Sequence, residues 1–124
     1  MIICKLKDVD PFWSAPPQHR KLRVMLSPKL KNSNHNLGLG VIKIPLGESG
    51  NAHQHTSEQE TWFVLSGKCK LIIGSETYEI EPDMVMTAPE SIPHQILNDG
   101  NEVIKVIFSF TPAGPEEKFI INKD

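Results

Sequence analysis

The sequence predicts an all-β sandwich or barrel, and three observations lead to this prediction. Apolar and polar residues alternate with a period of two nearly everywhere a pattern can be read, as they do along half-buried strands. Turn-forming residues separate the alternating stretches at short intervals, which is typical of small sandwiches and barrels. No segment shows the periodicity of about 3.6 residues that an amphipathic helix requires.

The predicted strands are rich in Val, Ile, Phe and Thr, the residues that favour extended structure. They are Lys21 to Leu26, Leu37 to Leu46, Glu60 to Leu65, Lys68 to Ile73, Thr77 to Ile80, Met84 to Thr87, His94 to Leu97 and Val103 to Phe110. A final short strand is expected at Phe119 to Ile121, and Pro11 to His19 is expected to be an extended arm. In the last long strand, an outward Lys105 turns Val106, Phe108 and Phe110 toward the interior.

Length and charge narrow the class of protein. A chain of 124 residues fits one domain, and a net charge of −2 provides no basic face for nucleic acid. The densest basic run, Arg20, Lys21 and Arg23, is expected to be a short solvated patch. No stretch reaches the roughly 20 apolar residues of a membrane span. We therefore expect a protein that binds neither nucleic acid nor membrane.

The cysteines and the N-terminal residues indicate in which cellular compartment the protein is expected. Cys4 and Cys69 are not arranged in a C-x-x-C pair, so no zinc ribbon or redox motif is predicted. Two reduced thiols are the favoured interpretation, with a disulfide between them left open. The charges of Lys5 and Lys7 interrupt any apolar core of a secretory signal. We expect a cytoplasmic protein.

A cluster of potential metal ligands begins in the middle of the chain. His53 and His55 stand two residues apart, so on an extended backbone both imidazoles point to the same face, about 7 Å apart. Glu60 begins the next predicted strand, and a turn followed by that strand can return its carboxylate to the two imidazoles. Glu58 lies two residues earlier and competes for this role.

His94 is a fourth candidate, because it opens another predicted strand and can reach the same interior. Three imidazoles and one carboxylate suit one divalent transition metal, namely Fe, Mn, Ni, Cu, Co or Zn, better than Ca or Mg. Six-fold coordination by such a set leaves two positions open for water, substrate or dioxygen.

The spacing of these residues resembles the two motifs of the cupin superfamily. Gly47, His53, His55, Glu60 and Gly67 fill the fixed positions of the first motif, G(X)5HXH(X)3–4E(X)6G. The second motif, G(X)5PXG(X)2H(X)3N, is matched more loosely, through His94 and Asn98. Pro82 stands where its first glycine is usual, and Glu90 and Ser91 lie near its second.

The resemblance implies a double-stranded β-helix, also called a cupin or jelly-roll barrel, as a single domain spanning residues 1–124. Residues 1–20 are then an N-terminal strand and arm, and residues 37–111 are the barrel core. The resemblance also implies a metal held by His53, His55, Glu60 and His94, and a homodimer. Ile2 to Lys7 is a candidate for a strand added to a partner's sheet, and Trp13 is a candidate apolar anchor.

The function expected on these grounds is a metal-dependent enzyme acting on a small organic molecule, with dioxygenase chemistry slightly favoured. A metal-dependent isomerase, lyase or cyclase is the first alternative, since the fold hosts both kinds of chemistry. A non-catalytic module that binds a small ligand is the second. Trp62 and Phe108 are candidates for the wall of the substrate pocket. Packing in the core explains Trp62 equally well and is the favoured interpretation of Phe108.

Overall fold

A computed structural model describes residues 3–15, 19–30, 36–48 and 57–121 of the chain. Within these ranges the chain forms nine strands and two short 3-10 helices. The strands are β1 (Phe12–Trp13), β2 (Lys21–Leu26), β3 (Gly38–Ile44), β4 (Gln59–Ser66), β5 (Cys69–Ile73), β6 (Glu76–Ile80), β7 (Val85–Ala88), β8 (His94–Leu97) and β9 (Ile104–Thr111). The 3-10 helices are Leu6–Asp8 and Pro115–Phe119. The prediction of an all-β protein is confirmed.

The strands form two antiparallel sheets. One sheet has six strands in the order β1-β2-β3-β9-β4-β7, and the other has three in the order β6-β5-β8. Buried apolar side chains from both sheets make up one core, because each strand turns alternate residues inward. In β9 the inward residues include Val106, Phe108 and Phe110, each at most 3% exposed, as predicted from the outward position of Lys105.

The structure near the two ends of the chain differs from the prediction. The predicted short strand at Phe119 to Ile121 is wrong, because Pro115 to Phe119 form a 3-10 helix. Proline is favoured in a first helical turn, where its fixed φ suits the helix and its missing N–H costs nothing. The ring of Phe119 packs against that of Phe12, with centroids 5.5 Å apart. The expected arm contains strand β1, whose Phe12 and Trp13 pair with Leu22 and Lys21.

The last two residues of the N-terminal segment that was a candidate for strand addition, Leu6 and Lys7, belong to the 3-10 helix Leu6–Asp8. No helix among the described residues is long and apolar enough to cross a membrane.

Candidate functional site

The carboxylate of Glu60 points into the interior of the molecule. Glu60, Trp62 and Val64 are the inward residues of β4, and Glu60 is 7% exposed. Glu58 precedes β4, is half-buried, and accepts hydrogen bonds from the backbone N–H and the hydroxyl of Ser57. The structure therefore places Glu60, and not Glu58, on the inward face of β4.

The imidazole of His94 meets Glu60 across the interior. His94 is the first residue of β8 in the three-stranded sheet and is 2% exposed, whereas Glu60 belongs to the six-stranded sheet. The His94 Nε2 atom lies 2.9 Å from Glu60 Oε1. Two side chains that lie 34 residues apart in the sequence are thus joined between the two sheets.

The other nitrogen of this imidazole indicates what the pair can hold. His94 Nδ1 lies 3.2 Å from the carbonyl oxygen of Ile92. In the tautomer that donates a hydrogen bond to this carbonyl, the Nε2 lone pair faces the carboxylate. Metal-binding histidines commonly have this arrangement, with the second nitrogen donating to a backbone carbonyl. Adjacent ligands at about 2.1 Å from a metal lie about 3 Å apart at a right angle, so this pair fits two neighbouring positions of a metal site.

The other two predicted ligands, His53 and His55, lie outside the described residues. The described part of the chain contains no group of three or more His, Cys, Asp or Glu side chains that could hold a metal ion. It supplies Glu60 and His94 together, and the four-residue ligand set stays a prediction.

An apolar wall adjoins the Glu60–His94 pair. Trp62 and Phe108, the two candidate pocket residues, lie side by side on the neighbouring strands β4 and β9 and are 3% and 2% exposed. The Trp62 ring meets the His94 ring edge-on at 5.1 Å between centroids. Phe108 is also paired with Gly40, where a Cβ atom would lie 2.8 Å from the Phe108 ring. The glycine therefore leaves the space that this ring occupies.

A second buried carboxylate, Glu116, was not singled out by the sequence analysis. It accepts hydrogen bonds from the Ser27 hydroxyl at 2.6 Å and from the Gly114 N–H at 2.7 Å. A Cβ atom on Gly38 would overlap its carboxyl group. Across the sheet Gly38 pairs with Phe110, and Phe110 pairs with Glu60. Phe110 therefore lies between Glu60 and Gly38, the residue beside which Glu116 packs.

The predicted solvated basic patch is wrong for Arg20. Its guanidinium forms two hydrogen bonds to the carboxylate of Glu48, at 2.9 and 3.1 Å. The side chain of Arg20 is only 12% exposed, and that of Glu48 3%. Local charge spacing could not reveal this ion pair, because the partners lie 28 residues apart in the sequence.

Neither cysteine forms a disulfide in the structure. Burial raises the pKa of Cys69 to about 11, with a further contribution from nearby Asp99. The Cys69 thiol is therefore neutral near pH 7, and a neutral thiol is neither a strong nucleophile nor a good metal ligand.

Comparison with known proteins agrees with this architecture. The cupin domain family model matches residues 40–110, more than half of the chain. An uncharacterized protein of Methanocaldococcus jannaschii is 26% identical over 102 residues, covering 81% of this chain and 80% of the relative. The tetracenomycin polyketide synthase protein TcmJ of Streptomyces glaucescens is 27% identical over 105 residues, covering 82% and 70%.

The fold has a well-matched counterpart among solved structures. The polyketide cyclase RemF of Streptomyces resistomycificus superimposes with a TM-score of 0.79 at 17% identity, covering 93% of this chain and 82% of that one. Two facing antiparallel sheets, the match over residues 40–110 and this superposition lead to one conclusion. The chain has the jelly-roll fold predicted from its sequence and belongs to the cupin domain family.

Proposed function

We propose that this protein is a metal-dependent enzyme that acts on a small organic molecule inside the barrel. His53, His55, Glu60 and His94 would hold one divalent transition metal, from the group Fe, Mn, Ni, Cu, Co and Zn. The observation that carries the proposal is the buried contact of 2.9 Å between His94 Nε2 and Glu60 Oε1. Nitrogen and carboxylate donors of this kind suit such metals.

The side chains around the pair determine what the site can do. A bound metal would act either as a Lewis acid or as the binding position for dioxygen. The carbonyl of Ile92 orients the His94 imidazole through Nδ1. The buried rings of Trp62 and Phe108 keep water from one side of the pair, and an aromatic or unsaturated substrate that entered the interior would meet apolar rings there.

The relatives bear on the class of reaction. TcmJ, which is 27% identical, is named as a polyketide synthase protein. Polyketide chains carry several carbonyl groups, which a Lewis acid can polarise for cyclisation. We therefore rank metal-dependent cyclisation of a polycarbonyl substrate ahead of the dioxygenase chemistry that the ligand set alone suggested. A module that binds the same kind of molecule without converting it is the remaining alternative.

Elemental analysis of protein purified without chelators tests the metal site. We expect near-stoichiometric metal in the wild type, nearly complete loss in the His53→Ala/His94→Ala variant, and no loss in His19→Ala. His19 is a suitable control because it is exposed and stacks on Trp13, away from the interior. Equal metal content in all three proteins would contradict the proposal.

Turnover separates the possible activities. The metal-loaded protein is incubated with a panel of polycarbonyl, enol and catechol compounds, with and without oxygen, and the products are identified by mass spectrometry. Product formed without oxygen supports cyclisation, isomerisation or elimination, whereas product that requires oxygen supports a dioxygenase. Tight binding of a panel compound with no product in either condition supports the binding module.

We also propose that the protein is cytoplasmic and that it forms a homodimer, the latter as the family resemblance implies. Exposed apolar side chains on the described surface support self-association. Trp13 is 49% exposed, and on the outer face of the six-stranded sheet Phe63, Leu65 and Val85 are 37%, 40% and 66% exposed. Sedimentation as a monomer at micromolar concentration would contradict the dimer.

A further inference from the structure

The side chain of Arg20 joins three parts of the chain. Arg20 immediately precedes β2, and its backbone is held by Ser14, whose N–H donates to the Arg20 carbonyl at 2.9 Å. Its guanidinium binds the carboxylate of Glu48, beyond the end of β3. The same guanidinium donates from Nη2 to the carbonyl oxygen of Ile96 in β8, at 3.0 Å. One planar, multi-donor side chain thus connects the segments that flank β2 and β3 of one sheet to β8 of the other.

Asn98 reinforces this junction from the end of β8. Its amide Nδ2 donates to the carbonyl oxygens of Ile44, Pro45 and Glu102, at 2.9 to 3.1 Å. Its backbone N–H also donates to the Glu48 carbonyl at 2.9 Å. Asn98 and Arg20 therefore fasten the C-terminal end of β8 to the end of β3.

The attachment of β8 affects the candidate metal site because β8 begins with His94. In its own sheet β8 pairs with β5, where His94 lies opposite Ile73. The contact with Glu60 reaches across to the other sheet, so its length depends on where β8 lies relative to β4. Ile96 is two residues from His94, about 7 Å along the strand, and a shift of the Ile96 carbonyl would be transmitted to the imidazole.

We infer that Arg20 is a positioning residue for the metal site. By joining the Ile96 carbonyl of β8 to Glu48, which lies beyond the end of β3, it holds the His94 imidazole at the right distance from Glu60. The inference rests on the proposed function in that it takes His94 as a ligand. Its structural part, that Arg20 determines the placement of His94, can be measured without metal.

The choice of variants follows from the burial of the ion pair. Removing Arg20 alone leaves the Glu48 carboxylate buried without its guanidinium, which strongly destabilises a protein. Replacing both partners, in Arg20→Met/Glu48→Met, removes both charges and keeps apolar bulk, so the fold is expected to persist. Arg20→Lys is a second variant: it retains a cation beside Glu48 but lacks the planar fork that reaches Ile96 as well.

Arg23→Met is the matched control. Arg23 lies in β2, the strand that Arg20 precedes, is half-buried, and donates from Nε to the carbonyl oxygen of Val9 at 2.9 Å. Arg23→Met removes a similar hydrogen bond, but to a carbonyl in the N-terminal segment. Among the described residues Arg23 makes no hydrogen bond to β8.

Two measurements on the metal-free proteins test the placement of His94. We expect the amides of β8 to exchange with solvent about tenfold faster in Arg20→Met/Glu48→Met, and faster than wild type in Arg20→Lys. We also expect the ¹⁵N signals of the His94 ring, assigned with His94→Ala, to move in both variants and to stay in place in Arg23→Met. Wild-type exchange and ring signals in a folded Arg20 variant, or equal changes in Arg23→Met, would overturn the inference.

Cobalt(II) affinity links the placement to the site. We expect the double variant to bind Co²⁺ about tenfold more weakly than wild type, the lower end of the effect of groups that orient metal ligands. Unchanged affinity in the double variant, with tight binding by the wild type, would overturn the positioning role while leaving the proposed metal site intact. A wild-type protein that binds no cobalt or other transition metal would instead refute the proposed function. The amide exchange rates and the ¹⁵N signals of the His94 ring would still decide whether Arg20 positions His94.

Discussion

Replacement of Glu60 by glutamine should remove most of the stabilisation that a bound metal provides. The amide has nearly the same shape as the carboxylate, and its N–H can donate to His94 Nε2, which lies 2.9 Å from Glu60 Oε1. We therefore expect the metal-free variant to stay folded, with a change in the free energy of unfolding of about 1 kcal/mol or less. The variant lacks the negative charge that Glu60 would contribute to the proposed metal site, and with it the strong attraction to a divalent cation.

The expected magnitude follows from binding linkage. Metal at 100 times its dissociation constant stabilises the native state by about 2.7 kcal/mol. The entropy of unfolding is about 2.1 cal/mol/K per residue, so a chain of 124 residues gains about 10 °C in Tm. Loss of a direct ligand should weaken binding by at least about 100-fold, the upper end of the effect of mutating groups that only orient a ligand. The gain in Tm at the same metal concentration then falls to about 2 °C.

Thermal unfolding followed by fluorescence, with and without added Co²⁺, Ni²⁺, Mn²⁺ or Zn²⁺, measures this difference. Glu58→Gln is the matched control, because Glu58 lies two residues away and outside the inward face of β4. It should retain the full gain in Tm. A full gain in Glu60→Gln together with a lost gain in Glu58→Gln would refute the assignment of the interior carboxylate.

Two further predictions concern the frame that holds the site. Asn98→Ala leaves three carbonyl groups without the amide that now binds them. We expect the free energy of unfolding, measured by urea unfolding, to fall by about 3 kcal/mol. A fall of less than about 0.5 kcal/mol would contradict the role of this side chain. Gly38→Ala forces the Glu116 carboxyl group to move and should cost about 1–3 kcal/mol. Because both changes act on one contact, Gly38→Ala/Glu116→Ala should cost less than the sum of the two single variants, and additive costs would contradict the steric conflict.

The strands could be predicted because their signal is local. Lys21 to Leu26 and His94 to Leu97 have the predicted bounds, and each shows a two-residue alternation that reflects its own buried and exposed faces. The inward positions of Glu60 and Trp62 follow from the same parity along β4. Motif spacing selected His94 and Glu60 as candidates for one site, and the structure brings them together.

What could not be predicted depends on contacts between distant parts of the chain. The carboxylate that pairs with Arg20 is 28 residues away, and the hydroxyl that binds Glu116 is 89 residues away. In the sequence each charge stands in a short polar segment that suggests a solvated surface. The helix at Pro115–Phe119 was missed for a related reason, since three apolar residues at Phe119 to Ile121 carry too short a pattern to distinguish strand from helix.

Three carboxylates are buried among the described residues, and they differ in the side chains and backbone groups that they contact. Glu48 has a guanidinium, which is charged at every physiological pH. Glu116 is bound by a hydroxyl and a backbone N–H, neutral donors that fit a structural role next to Gly38. Glu60 faces an imidazole, whose charge depends on a proton and whose lone pair can instead bind a metal. The first two arrangements cannot exchange a partner without loss of a structural contact. In the Glu60–His94 pair, by contrast, a nitrogen and an oxygen donor lie 2.9 Å apart, and of the three arrangements this is the one that fits the metal site proposed for this protein.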